Sequence, residues 1–566
     1  MEKREKKEYI RKSGIYIWLV KNKRLLCCAF VWGVPFACSC VLGWRLVSKG
    51  TVFGPGGSFA AGMGSFLLFL LQTALLSVPA AALAAVIMRG GKSKRVRRTA
   101  GSKTGKAQVW LFYGAVIFLC WMPVFLAYYP SVFAYDAEGQ LYQVISHDYS
   151  THHPLLHTLF LGAFFRLGGA LGSYSAGMAV HSVVQMVLMA AAFGWALSYL
   201  YRRQIPRWIR ILLLLFYGLF PANSVLALST TKDVLFSALV LTFTLWMYRM
   251  ICDREMWGGR KERAVFIVLA ALMLLFRNNA VYAFVVSVPV VYVGIGKPAR
   301  RTYLRMALLA LLLFAIGSAM LKTATHAHSG SPREMLSVPL QQMARTRVEA
   351  EEQLSPQMRQ ELDHYIPSEW VFAAYHPHLA DPVKNRAVIH DNPKGLIETW
   401  VKLGLQHPAV YVDAFLDNSL GLWFLWDTSH AQVYGIGTES GFGYLSTDNR
   451  TMPAGCEIVE HSFLPGLRAF MEKIVSDNEY GKLPVVRLLF APALYWWLLY
   501  LYLVAALYQK KYREMLPAVY LAAYYLTLLL SPTVLVRYMY PIMVTIPVIL
   551  PCLMMNTQRD GCENIQ

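Results

Sequence analysis

Tyr128-Tyr-Pro-Ser-Val-Phe-Ala-Tyr-Asp-Ala-Glu-Gly-Gln-Leu-Tyr-Gln143 follows directly on an apolar run, and His147, His152, His153 and His157 come soon after it. Two carboxylates, Asp136 and Glu138, and four imidazoles beside lipid are costly unless they face a polar cavity or the bilayer surface. The stretch therefore separates two readings: a protein that only sits in a membrane, and one that carries a polar site at one face of it. Which face depends on the topology of the rest of the chain.

The 566 residues are 56% hydrophobic and 15% charged, with a mean hydropathy of +0.39. A soluble chain of this length is far more polar, so many membrane spans are expected. The net charge is +21. Its lysines and arginines fall in short clusters between apolar runs, the pattern of topogenic loops, which argues against a nucleic-acid partner. Nine cysteines are present, but only Cys456 lies in the long polar region, so no disulfide framework holds that region. The cysteines and histidines show no zinc spacing. The basic segment Met1 to Arg24 runs into an apolar stretch without an Ala-x-Ala-like site, which reads as an uncleaved first span with a cytoplasmic N-terminus.

Apolar runs near 25–46, 60–88, 108–129, 177–201, 208–226, 233–251, 259–276, 279–295, 304–322, 485–508, 515–532 and 538–556 predict about twelve transmembrane helices in an all-α polytopic protein. Basic clusters lie at Arg89 to Lys106, Arg202-Arg203 with Arg207 and Arg210, Arg254 to Arg263, Lys297 to Arg305, and Lys510-Lys511 with Arg513. All five are cytoplasmic if the spans alternate from an inside N-terminus. Two choices keep that agreement. Leu155 to Gly168 reads as an amphipathic helix at the interface, and residues 259–295 read as a hairpin with Arg277 at its outer tip. Four blocks result: 1–107, with two leading spans and a basic loop; 108–322, a membrane core with a first outer loop at 130–176; 323–484, an outward mixed or mainly α domain; and 485–566, the last spans and a cytoplasmic tail. The 323–484 block includes the aromatic patch Trp423-Phe-Leu-Trp426. Gly54-Pro-Gly-Gly57 reads as a short outer turn.

Sorted by side, the outer face collects Asp136, Glu138, His152, His153, His157, Lys232, Asp233, Arg277, Asn278, Asn279, Arg537 and Tyr538. These residues lie at the mouths of several span pairs, which one bundle could bring around one cavity. The chemistry that fits is transfer of a sugar from a donor linked to a lipid phosphate. Lys232, Arg277 and Arg537 would hold the phosphate as charge builds on the leaving oxygen, and Asp136 would take the proton of an acceptor hydroxyl. A divalent metal ion could share the phosphate charge, which the histidines permit without requiring. Each residue also has a plainer reading. Asp136 suits a helix first turn, Lys232-Asp233 a local ion pair, and Arg277 and Arg537 headgroup anchors. The histidines fit structural or acceptor-side contacts better than metal ligands.

These motifs resemble the GT-C superfamily of polyprenyl-phosphate-sugar glycosyltransferases, which includes the protein O-mannosyltransferase and aminoarabinose-transferase groups. Asp136 in Ala134-Tyr-Asp-Ala-Glu138 takes the place of the first-loop acidic residue. His153-Pro154-Leu155 resembles the element that opens the following interfacial helix, Thr231-Lys-Asp233 a charged motif opening a later span, and Arg537-Tyr538 with Pro541 an element near the last spans. The pattern "Tyr-Asp…Gln…His-His-Pro…His" is closest to a poorly characterised bacterial branch, which His407-Pro-Ala-Val-Tyr-Val-Asp-Ala-Phe-Leu-Asp-Asn418 also resembles. The resemblance spans roughly 108–555 and implies a GT-C-like fold, a plasma-membrane location with both termini cytoplasmic, and inverting transfer. The implied acceptor is an extracytoplasmic glycan, lipid or protein at the membrane lipids. Asp-Ala-Glu departs from the adjacent acidic pair of the family, which leaves Glu138 without an inherited role. The two leading spans have no counterpart in the resemblance. A transporter or lipid-linked-sugar flippase is the alternative. It predicts ionisable groups at mid-membrane in two related halves, whereas these spans are nearly free of interior charge. A cell-wall scaffold without chemistry is a third reading.

Overall fold

The computed structural model describes residues 22–52, 59–90, 106–133, 135–389, 391–426, 453, 455–475 and 483–554. The basic segment before Asn22, the turn Gly54–Gly57, the loop from Lys92 to Lys103 and the C-terminal tail lie outside the described residues. The helices are α1 Lys23–Lys49, α2 Phe59–Gly90, α3 Lys106–Ala127, α4 Tyr135–Ser146, α5 Leu155–Ala170, α6 Tyr174–Arg202, α7 Arg207–Leu219, α8 Pro221–Leu228, α9 Lys232–Cys252, α10 Arg260–Phe276, α11 Ala280–Gly294 and α12 Lys297–Thr325. They continue with α13 Ser337–Ala350, α14 Pro356–Tyr365, α15 Ser368–Ala374, α16 Asp381–Arg386, α17 Pro393–Gln406, α18 Pro408–Asn418, α19 Leu420–Trp423, α20 Pro465–Val475, α21 Pro484–Phe490, α22 Pro492–Tyr508, α23 Pro517–Leu528 and α24 Val536–Met554. Among the described residues β pairing is confined to isolated bridges.

Lipid offers backbone groups no hydrogen-bond partners, so apolar runs of this length fold as helices. Each of the twelve runs is helical. Among the described residues, seven helices are long and apolar enough to cross a membrane, or eight with α7 and α8 taken as one span bent by 47° after Leu219. The other runs are covered by α10, α11, α22 and α23, of 17, 15, 17 and 12 residues. The bundle packs α3 on α6, α9 on α24, α10 on α12, and α11 on α23.

The two ends of the bundle differ in charge. At one end Arg24 donates to Tyr512 Oη at 3.0 Å, Arg203 to Cys252 Sγ at 3.3 Å and Lys511 to the Leu553 carbonyl at 2.6 Å. Tyr248 Oη donates to Glu514 there at 2.8 Å. The basic clusters at 202–203, 254–263, 297–305 and 510–513 therefore share one end. Arg277 lies at the other. There α11 begins, with Asn279 Nδ2 donating to Thr527 Oγ1 at 3.2 Å, and α11 returns to the basic end, where Gly294 meets Leu516. Residues 259–295 thus form two helices with Arg277 at the turn, splayed onto different partners.

Residues 390, 427–452, 454 and 476–482 of the 323–484 block lie outside the described residues. A compact helical unit covers 337–418 around Leu340, Met343, Leu362, Val383, Leu396 and Leu403. Its Arg345 pairs with Asp417 and with Glu349, at 2.8 Å for the latter. After Asn418 the chain drops back into the bundle. Trp423, in the aromatic patch of that block, is buried, and its carbonyl accepts from Trp497 Nε1 at 2.8 Å. Phe424 fills the space over Gly43, and Trp426 meets Phe36 edge-on at 5.9 Å. The segment plugs the gap between α1 and α22. The two leading helices thereby gain a role: Trp32 Nε1 donates to the Trp497 carbonyl at 3.2 Å, and Val52 N donates to Asp413 Oδ1 at 3.0 Å, tying their turn to the polar unit.

Candidate active site

The site begins with two extended segments laid side by side. Val132 N donates to the Leu228 carbonyl at 3.2 Å, and Thr230 N returns to the Val132 carbonyl at 3.1 Å. Gln185 Nε2, from α6, bonds the Ala227 and Ser229 carbonyls at 3.0 and 2.7 Å. This parallel register fixes the entry of α4 against the entry of α9, so Asp136 arrives beside Lys232. Asp233 in the first turn of α9 is a favourable place for a negative charge.

Five charged side chains from four parts of the chain then form one line. Lys232 Nζ lies 2.8 Å from Asp136 Oδ2, and Arg537 Nη1 lies 3.0 Å from the same oxygen. Arg537 Nε faces Asp233 Oδ2 at 3.8 Å, and Asp233 Oδ1 pairs with Arg277 Nη1. The order is Lys232, Asp136, Arg537, Asp233, Arg277. Three cations and two carboxylates leave one net positive charge, with a cation at each end. Asp233 is fully buried, Arg537 and Arg277 nearly so, and the side chains of Asp136 and Lys232 are 14% and 15% exposed. The line therefore opens outward at its Lys232–Asp136 end. Arg277 is boxed by the rings of Phe236, Tyr524 and Tyr538, with its guanidinium carbon 4.9 Å from the Tyr538 centroid. Such cation–π contacts hold a guanidinium that has few water partners.

The histidines divide. His153 joins the line: Lys232 Nζ donates to its Nδ1 at 3.3 Å, because an ammonium can only donate. Burial and then Lys232 push the His153 ring down to about 3, against the pull of Asp136, so it is neutral at physiological pH. Burial would raise the Asp136 carboxyl, but Arg537 and Lys232 outweigh it and hold the group well below the usual carboxylate range. His152 is exposed and contributes its backbone: Asn278 Nδ2 donates to the Thr151 and His152 carbonyls, at 3.1 Å each. His157 turns inward and is fully buried, with its Nδ1 3.1 Å from Gln140 Nε2. Glu138 lies two residues past Asp136, on another face of α4. Phe236, Tyr524, Gln140 and Asn279 complete the surroundings. Asn279 accepts from Arg277 Nε at 2.8 Å. Among the described residues no three His, Cys, Asp or Glu side chains converge as metal ligands. Asp136 and Asp233 are both engaged by Lys232, Arg537 and Arg277, a donor set that does not fit a resident divalent ion.

The fold and this site define an all-α membrane protein with several candidate spans and a charged cluster at the end that carries its polar unit. A family model described as a family of unknown function (DUF6020) matches residues 146–565, and the chain belongs to that family. Lys232, Asp233, Arg277 and Arg537 lie within the matched residues and Asp136 lies before them. No curated protein and no solved structure matches the chain.

Proposed function

We propose that this protein is a GT-C-like integral membrane glycosyltransferase of the plasma membrane, with twelve spans and both termini cytoplasmic. It moves a sugar from a polyprenyl-phosphate donor to an extracytoplasmic glycan, lipid or protein. The observation that supports this reading is the convergence of Lys232, Arg277 and Arg537 on two carboxylates, one of which, Asp136, reaches the surface. Cations in a water-poor site stabilise the charge that develops on a departing phosphate far better than they would in water. In the reaction the acceptor O–H gives its proton to Asp136 as its oxygen bonds the anomeric carbon. The bond from that carbon to the phosphate oxygen breaks, and its electron pair leaves on the polyprenyl phosphate. Attack opposite the leaving group inverts the anomeric centre.

The test is reconstitution into proteoliposomes with a panel of labelled polyprenyl-phosphate sugars, scoring polyprenyl phosphate released and glycosidic product formed. Asp136→Asn is expected to lower the rate about 10²- to 10⁴-fold, the usual range for loss of a general base. Unchanged transfer in that variant defeats the assignment. Movement of the sugar lipid across the bilayer without a new glycosidic bond makes the protein a flippase.

A further inference from the structure

Asp136 uses its two oxygens unequally. Lys232 and Arg537 both hold Oδ2, at 2.8 and 3.0 Å, and Oδ1 takes part in no hydrogen bond or ion pair among the described residues. The same two cations are the ones a donor phosphate must reach first, because the line opens at that end. Arg277 and the inner face of Arg537 are already engaged by the fully buried Asp233. A carboxylate and a phosphate therefore compete for one pair of donors, and both oxyanions favour the same charge-assisted hydrogen bonds.

We infer that Asp136 acts as a built-in competitor for the donor-phosphate site: in the unliganded protein its Oδ2 occupies Lys232 and Arg537, and a phosphate monoester or diester entering the site takes these cations over and releases the carboxylate toward the acceptor. The inference rests on the proposed glycosyltransferase reading and adds an order of events to it. Without a phosphate the carboxylate is tied down and is a poor proton acceptor. With the phosphate bound, the cations spend their charge on the leaving group, and the carboxylate regains the basicity that two cations had suppressed. The base is thereby switched on only when the donor is in place, which guards the donor against idle hydrolysis.

The competition also makes sense of the cluster's charge. Lys232, Arg537 and Arg277 against Asp136 and Asp233 leave one positive charge without a phosphate. A singly charged phosphodiester brings the cluster to neutrality once the carboxylate has turned aside. His153 supports the exchange, since its neutral Nδ1 keeps Lys232 Nζ in position whichever oxyanion holds the other ammonium protons.

The sign of one variant decides the matter. Binding of a sugar-free polyprenyl monophosphate to the full-length protein in nanodiscs is measured by native mass spectrometry and by the lipid-induced shift in unfolding temperature. If Asp136 competes, Asp136→Asn binds the lipid about tenfold more tightly than wild type, equivalent to about 1.4 kcal/mol, and its unfolding temperature rises more on lipid addition. Should the asparagine variant not yield folded protein, Asp136→Ser reads the same quantity. Equal or weaker binding by the variant, with wild type still binding, overturns the exchange and leaves Asp136 a positioning partner of the two cations. No binding by either, with Lys232→Gln indistinguishable from both, overturns the phosphate site itself and the exchange with it.

Discussion

His153 and Asp136 are each held below their ordinary titration range, and the consequence has a definite sign. His153 is pushed from 6.5 down to about 3 in the folded protein. Between those values the unfolded chain binds the proton that the folded one refuses, so stability is full above about 6.5 and is lost as pH falls toward about 3. Asp136, lowered by Arg537 and Lys232 against its burial, adds a loss in the same direction below 3.8. Unfolding temperature in detergent should therefore fall steadily from pH 7 to pH 4. His153→Asn retains an acceptor for Lys232 and should make that fall shallower. It should not flatten it, because burial also pushes down the neighbouring His157. An unchanged slope in the variant would remove His153 as its source. At this scale the sequence was informative about membership and silent about pairing. Asp136, Lys232, Asp233, Arg277 and Arg537 are legible because charge beside an apolar run is rare and therefore conspicuous. Their order along the line depends on a backbone register, Val132 against Ser229, that no local pattern announces. Phe236 and Tyr524, which box Arg277, were invisible because aromatics within an apolar run look alike whether they face lipid or a cation.

The helices beside the site include a crossing at which side chains are absent. α5 crosses α6 where Gly168 meets Gly177. A Cβ on Gly168 would lie 2.7 Å from the Ser173 carbonyl oxygen and 2.9 Å from Gly177 Cα, both of them backbone atoms that cannot swing aside. Small residues at such crossings let membrane helices approach closely. Gly168→Ala should accordingly lower stability by about 1–3 kcal/mol, the usual cost of overpacking. Gly139, in α4 beside the site, offers the contrast: a Cβ there meets nothing within 4 Å. Gly139→Ala should raise stability by about 0.5–1 kcal/mol through helix propensity. Denaturation of the two variants in one detergent checks the opposite signs. Twelve apolar runs found as helices show how well element existence reads from hydropathy. The segment around Trp423 shows where such reading stops. Aromatics bounded by polar residues suit an exposed patch and a membrane plug equally, and only the partner surfaces, Gly43 and Trp497, distinguish them.

At the scale of the whole molecule, one asymmetry organises everything else. Arg24, Arg203, Arg513 and Lys511 gather at one end of the bundle, and the Asp136 line lies at the other with the polar unit above it. The polar unit reaches the line through the loop before α24: Ala380 N donates to the Pro532 carbonyl at 2.8 Å and Asn418 Nδ2 to the Ser531 carbonyl at 2.9 Å, a few residues ahead of Arg537. An acceptor resting on the polar unit would thus sit over the charged site. Lysine- and arginine-rich ends tend to be retained in the cytoplasm, so the asymmetry predicts an orientation that can be measured directly. In a background whose native cysteines are replaced, a cysteine at Gly330, beside the His152 backbone, should react with a membrane-impermeant maleimide added to intact cells. One at Gly258, between α9 and α10 at the basic end, should react only after the membrane is opened. Labelling of Gly258 from outside would invert the molecule, place the Asp136 line on the cytoplasmic face, and remove the extracytoplasmic acceptor from the proposal. The expected pattern instead leaves the line on the face where the proposed extracytoplasmic acceptor would reach it.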